Sequence, residues 1–249
     1  MRRADYGYDA PYALAIFATA SAAAGIGTVV FWWQGAGRPT LWMLFYFLFF
    51  SANASSFFYT TRYGKFIEWE RILDRLKLRG DESALDMGCG RGAVLTAVAR
   101  RLKSGRVTGI DLWSTKDQSG NSREVTLRNA SLEGVSDRIQ IETGDMRALP
   151  FPDSSFELVV SSLAIHNIPS KDGRKQAVAE AFRVLKPAGR LMIADIRATG
   201  LYEEVLRALG AKVLERRRLG WRFWWGNPFA ATTLLTATKA PGQVEPALH

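Results

Sequence analysis

The sequence predicts an α/β protein: a largely parallel sheet with helices on both faces, preceded by two membrane-length helices. Three observations lead there. Residues 85–92 read Leu-Asp-Met-Gly-Cys-Gly-Arg-Gly, an apolar strand running into an acid and then into alternating glycines. Two further short strands, 106–110 and 139–143, run into Asp111 and into Gly144-Asp145. Near the start, residues 11–33 and 41–59 contain no charged side chain.

The glycine-bearing loop comes first in the argument. A strand that ends in spaced glycines and feeds a helix makes room for a nucleotide-like ligand. Gly88 and Gly90 let the backbone turn sharply and approach that ligand without a Cβ in the way. The helix expected at 93–102 points its amide-rich N-terminus at the same place. Asp86, ahead of the first glycine, narrows the ligand. A pyrophosphate cradle has no use for a carboxylate there, whereas a cofactor with an ammonium group does. S-adenosylmethionine (SAM) carries an amino-acid end and no phosphate. Cys89, between the glycines, reads as a small side chain beside the cofactor and not as a nucleophile.

The later strands extend the pattern. Asp111 ends the second strand and is suited to hold both ribose hydroxyls, which NAD would also offer. Asp145, after the third strand, is suited to an adenine amino group. Residues 150–161 lead into a fourth strand, and the Lys186-Pro-Ala-Gly turn feeds a fifth, ending Met-Ile-Ala-Asp.

Together LDMGCGRG, GID, GDMRALPFPDSSFELVVSS and RVLKPAGRLMIAD resemble the class I SAM-dependent methyltransferases. Within them the chain resembles the small-molecule branch that includes the ubiquinone/menaquinone biosynthesis C-methyltransferases. The matching pieces fall in family order between about residues 65 and 239. The resemblance implies a Rossmann-like seven-stranded sheet, SAM as cofactor, and methyl transfer. It implies that Asp86, Gly88, Cys89, Gly90, Asp111, Leu112, Asp145, Met146 and Ser161 surround the cofactor.

Composition sets bounds. A chain of 249 residues holds one α/β domain and an appendage. A net charge of +9 calls for an anionic neighbour, either nucleic acid or an acidic membrane face. One cysteine excludes an internal disulfide, and two histidines, one of them the last residue, leave no His/Cys metal cluster.

The two uncharged stretches are each long enough to cross a hydrocarbon core of ~30 Å. Between them, 34–40 holds Gly35, Gly37, Arg38 and Pro39, which is turn chemistry. Two transmembrane helices forming a hairpin follow, with Trp32, Trp33 and Trp42 in an interfacial belt at the tip. Arg2, Arg3, Arg62 and Lys65 flank its open end against Arg38 alone at the tip, which puts the N-terminus and the main domain in the cytoplasm. Small residues at 18–27 and 51–56 allow close packing and let Asn53 find a partner. A signal peptide or a buried soluble hairpin are the other readings of this segment.

The expected organisation is therefore a hairpin over 1–62, an amphipathic linker helix over 63–80, a methyltransferase domain over 81–240 and a frayed tail over 241–249. The linker stripe of Phe66, Ile67, Ile72, Leu73 and Leu76 fits packing on the sheet, on the membrane, or on both. Because every cofactor motif lies beyond residue 60, a domain lacking 1–60 is expected to bind SAM.

For the chemistry, a sulfonium donor is already activated, so the protein must align the acceptor and, where needed, take a proton. The segment after the fourth strand reads Ser-Ser-Leu-Ala-Ile-His-Asn-Ile. His166 and Asn167 are the catalytic candidates. An ordinary imidazole titrates near ~6.5 and suits a base near neutral pH. The quinone-type enzymes have Arg then Asn at these two places, so His166 is a departure. Its other reading is a residue that shapes the pocket without moving a proton. The polar stretch 112–122 either caps the site with Trp113 or Lys116 or is a solvated loop. The run 220–231 carries Trp221, Trp224 and Trp225. These form an apolar substrate wall, a membrane-dipping loop beside Arg216-Arg-Arg, or ordinary packing at a sheet edge.

The expected function is a membrane-anchored methyltransferase acting on a small lipophilic acceptor: a quinone or phenol, a lipid intermediate, a thiol or an amine. Its expected partners are membrane lipids, with neither nucleic acid nor a metal. A nucleic-acid or protein methyltransferase and a non-catalytic SAM-binding scaffold are the alternatives.

Overall fold

A computed structural model describes residues 4–114 and 118–241. Arg2, Arg3, Lys116 and the tail from 242 onward lie outside the described residues. Two helices, α1 (Pro11–Trp33) and α2 (Gly37–Tyr59), form the hairpin. Its turn is tighter than the sequence suggests. Pro39 falls inside the first turn of α2, where its missing N–H is one of the unbonded ones anyway. Both helices are long and apolar enough to cross a membrane. Only Ala24 in α1 and Asn53 and Phe57 in α2 are buried, which is not the pattern of a soluble core hairpin.

A π-helical turn, Thr60–Gly64, joins α2 directly to α3 (Lys65–Leu76), so Gly37–Leu76 is one rod of 40 residues. The catalytic sheet follows. Its strands are β1 (Ser83–Met87), β2 (Arg106–Asp111), β3 (Ile139–Thr143), β4 (Phe156–Ser162), β5 (Leu185–Asp195), β6 (Lys212–Arg218) and β7 (Thr233–Thr238). Their order is β3-β2-β1-β4-β5-β7-β6, with β7 antiparallel to both neighbours and the rest parallel. The apolar strand sequences follow from burial on both faces. On one face α3, α4 (Ala93–Ala99) and α5 (Arg123–Leu132) pack through Trp69, Leu73, Val98 and Ala130. On the other, α6 (Lys171–Arg183) and α7 (Thr199–Ala208) pack through Phe182, Tyr202 and Leu206.

This packing joins the expected linker helix and the segment before α1 to the sheet. The amphipathic stripe of α3 lies on the sheet, with Trp69 and Leu73 in the core. Gly64 is required there because a Cβ would overlap the Arg222 carbonyl. The segment before α1 also docks on the catalytic domain. Tyr6 is buried, and its hydroxyl shares a 2.8 Å hydrogen bond with Thr96 Oγ1. Asn129 Nδ2 donates to the Asp5 carbonyl at 2.9 Å. Asp9 is ion-paired with buried Lys65 and accepts from Thr61 Oγ1 at 2.8 Å. A domain cut at residue 60 therefore loses the seat of Tyr6 and strands Lys65 without its counter-ion.

Removing one partner of a buried pair leaves an uncompensated charge. Asp9→Asn is expected to cost about 3 kcal/mol or more, read as a lowered melting temperature of the detergent-solubilised protein. Asp81→Asn, in an exposed pair with Arg79, is expected to leave it unchanged.

Candidate active site

A cavity of about 610 Å³ opens at the C-terminal ends of β1, β2 and β4, the edge where open α/β sheets take their ligands. The tip of β1 supplies Asp86, Gly88, Cys89 and Gly90 to its wall. Gly88 holds φ +72, and a Cβ there would collide with the Ala164 methyl, so the loop closes tightly only with glycine. Cys89 is buried, and burial pushes its thiol well above the ordinary range, which fits a small wall residue and not a nucleophile.

Asp111 at the tip of β2 organises this loop. Its carboxylate accepts from the Gly90 N–H at 2.8 Å, the Trp113 N–H at 2.6 Å and Asn121 Nδ2 at 3.2 Å. Asp86 is the opposite case. It is 1% exposed, and its Oδ2 has no hydrogen-bond partner. Burial, then the negative charge of Asp111, push its pKa up to about 8, against a lesser pull from a Leu95 backbone hydrogen bond. A buried, unpartnered carboxyl oxygen in a cavity wall suits a cationic ligand atom. Leu112, Asp145 and Met146 line the same cavity. Asp145 accepts from the Arg147 N–H at 2.9 Å and from its guanidinium at 2.5 Å, and the latter holds its pKa down.

Beyond β4 the chain turns sharply at Leu163, at φ +57, and presents His166 and Asn167 to the cavity. His166 Nδ1 lies 2.5 Å from Asp195 Oδ1, at an angle that forms no hydrogen bond. Asp195, at the end of β5, is 1% exposed. Its Oδ2 accepts from the His166 N–H and from the Tyr202 hydroxyl, each at 3.1 Å, and its Oδ1 accepts from the Ile196 N–H at 2.8 Å. Burial, then the charge of Asp195, push the Tyr202 phenol far up, so it remains a donor.

Four expected site residues lie elsewhere. Side chains alternate along a strand, so Ser161 points into the sheet and donates to the Met87 carbonyl at 2.9 Å. Its neighbour Ser162 lines the cavity and accepts from Trp69 Nε1 at 2.8 Å. Trp113, at φ +59, turns its indole onto β3, donating to Thr143 Oγ1 at 2.8 Å, and is not part of the wall. Trp221 stacks on Tyr59, with centroids 5.0 Å apart, and is also outside the cavity. Trp224 is outside it too; its carbonyl accepts from Thr60 Oγ1 at 2.5 Å. Of the indoles in this run only Trp225 reaches the wall, against Phe57.

Other residues of the site were not expected, and among them Asp195 stands behind His166 without lining the cavity. Asp195 ends its strand in an acid just as Asp86 and Asp111 do, a signal present in Met-Ile-Ala-Asp. Asp9, Tyr12 and Phe57 come from the hairpin and its lead-in, and Gln118 from the polar loop, where no local pattern marks them.

Comparison with known proteins matches residues 85–193 to the family described as methyltransferase domain. This segment is a class I SAM-dependent methyltransferase domain. A demethylmenaquinone methyltransferase of Lactobacillus johnsonii is 31% identical over 51% of this chain and 48% of its own length. The 27-O-demethylrifamycin SV methyltransferase of Amycolatopsis mediterranei is 34% identical over 51% of this chain and 43% of its own. The chain spans about half the length of the curated relatives it matches. Among solved structures, geranyl diphosphate C-methyltransferase from Streptomyces coelicolor, solved with S-adenosyl-L-homocysteine, superposes with a TM-score of 0.57. That match covers 70% of this chain and 78% of the other at 15% identity, and shows the fold. SAM is the cofactor of this class, and the orphaned Asp86 oxygen fits its ammonium group.

An acid titrating near 8 must ionise to pair with a cation, so SAM binding below that pH has to expel a proton. Affinity is expected to rise up to about tenfold per pH unit and level off above about 8. The sign for folding is opposite. The unfolded chain ionises Asp86 from about 3.8 upward, so the ligand-free protein loses stability as pH rises toward 8. Calorimetry across pH checks the first effect, and Asp86→Asn should abolish this pH dependence. At fixed pH, Asp111→Ala is expected to weaken SAM binding by at least ~1.5 kcal/mol.

Proposed function

We propose that the protein is a membrane-anchored methyltransferase that moves the methyl group of SAM to a small lipophilic acceptor at the cytoplasmic membrane face. One observation carries the reading. Tyr12, Ala13 and Phe57 of the hairpin line the same cavity as the glycine loop and His166. An anchor that served only to tether would have no reason to wall the site. Two rods with bare apolar sides support membrane placement, and relatives named for demethylmenaquinone and demethylrifamycin support a small acceptor.

In this reading the cofactor lies across the tips of β1 and β2. Asp86 holds its ammonium, Asp111 the ribose hydroxyls, Asp145 the adenine side, and Gly88 and Gly90 admit its backbone-hugging part. Bound SAM supplies an electrophilic methyl on a sulfonium. Phe57, Trp69 and Trp225 give the acceptor an apolar bed and exclude water. Asp195 keeps the proton of His166 on Nδ1, which leaves Nε2 as the base toward the cavity. A small ring rotation aligns that contact, as catalytic hydrogen bonds tighten on loading. Tyr202 and two backbone N–H groups hold the Asp195 carboxyl in place. Asn167 stands beside His166 to orient the acceptor.

Incubating the solubilised full chain with labelled SAM and a lipid extract, then identifying the labelled product, tests the activity. No labelled lipophilic product would overturn the reading. With that acceptor, His166→Ala is expected to lower turnover by ~10²–10⁴-fold with SAM affinity little changed. The wild-type and variant pH–rate profiles should differ in shape. Trp225→Ala should mainly raise the apparent KM. For topology, a label on Gly37→Cys should react from outside intact cells.

A further inference from the structure

Residues 223–238 contain no charged side chain, although they follow the arginine-rich strand β6. The middle of this run is bound to the hairpin, well above its root. Asn227 Nδ2 donates to Asn53 Oδ1 at 3.1 Å, and Gly226 packs against Phe17 and Asn53. Asn53 is six residues up α2 from Tyr59, about 9 Å at the helical rise. Each hairpin helix has 23 residues, barely more than a ~30 Å hydrocarbon core requires. If the hairpin spans, the level of Asn53 is already within lipid.

The tip of the run is built for that depth. Pro228–Ala230 is a single helical turn capped by Asn227, whose Oδ1 accepts from the Phe229 and Ala230 N–H groups at 3.0 and 3.3 Å. The Trp225 N–H closes onto the Ala230 carbonyl at 3.1 Å. Backbone that enters lipid needs such internal partners. Phe229 then stands out from the fold, 91% exposed, the most exposed large apolar side chain among the described residues. Beside it lies a small polar recess formed by Thr199, Arg216, Arg218 and Thr233. Arg216 is paired with Glu203 at 2.7 Å, while the Arg218 guanidinium has no partner among the described residues.

We infer that residues 224–230 are a second membrane element, a finger that seats Phe229 in the cytoplasmic leaflet and places Arg218 against the phosphate of an anionic phospholipid. The inference rests on the spanning hairpin. A depth of about 9 Å is that of interfacial elements, which bury apolar side chains ~5–10 Å into the headgroup boundary. Hairpin and finger together give the catalytic domain two contacts that are not collinear. The sheet is then held at one tilt, with the wall formed by Phe57 and Trp225 facing the bilayer.

The test uses the full chain in nanodiscs. Phe229→Cys carries a fluorophore, buried Cys89 remains native, and lipids bear a quencher near the headgroup. Ser104→Cys, in the turn before the N-terminal end of β2, is the control. Strong quenching at 229 and none at 104 is expected. Adding anionic lipid should increase quenching at 229, and Arg218→Gln should reduce that increment about fivefold, the share of one arginine near such a surface. Equal quenching at 229 and 104, with Gly37→Cys still labelled from the far side, overturns the finger and leaves the hairpin standing. If Gly37→Cys also labels from the cytoplasmic side, both fall. An anionic-lipid increment unaltered by Arg218→Gln overturns the phosphate contact.

Discussion

The union of α2 and α3 through an unbroken π-helical turn is the constraint on which the other features depend. The helix is continuous across this turn, so the apolar segment runs directly into the sheet-packed amphipathic helix. Three contacts lock the joint. Asp9 and Thr61 close around Lys65, Gly64 admits the Arg222 carbonyl, and Thr60 holds the Trp224 carbonyl. Phe57 is thereby carried to the rim of the catalytic cavity. The hairpin is a wall of the site because it cannot be rotated away from it.

The cavity sets two carboxylates to different tasks through environment. Asp111 already accepts from three protein donors, which fix its orientation. Asp86, deeper and short of a partner, is left high in pKa by burial and by Asp111 itself. In the proposed function the ammonium of SAM offsets the repulsion between the two carboxylates, so that repulsion contributes to affinity. On the acceptor side, Asp195 is the counterpart of Asp111. It is wrapped by backbone N–H groups and Tyr202, and stays available to one imidazole.

Much of the +9 charge has local work to do. Arg91, Arg100, Arg101 and Arg183 are tied to carboxylates on neighbouring elements, and Lys65 is buried. Arg218, without such a tie among the described residues, lines a recess with the exposed Phe229.

The strand-then-acid-then-glycine pattern and the two uncharged runs were legible in the sequence because they are local. Period, turn chemistry and span length act within a few residues of each other. That sufficed for the sheet, the SAM class, and the places of Asp86, Gly88, Asp111 and Asp145. Side-chain direction at a strand end was not legible, since a shift of one residue exchanges Ser161 for Ser162. Aromatic content did not say which indole faces the cavity either. Trp225 does, while Trp113, Trp221 and Trp224 turn away to partners on β3, Tyr59 and Thr60. By itself the sequence determined a SAM-type α/β domain behind a membrane-length hairpin. Tertiary structure alone decided that the two are one body, with Asp9, Phe57 and Ile196 meeting at one cavity. These residues are separated by as much as three quarters of the chain, and only packing of the whole brings them within contact.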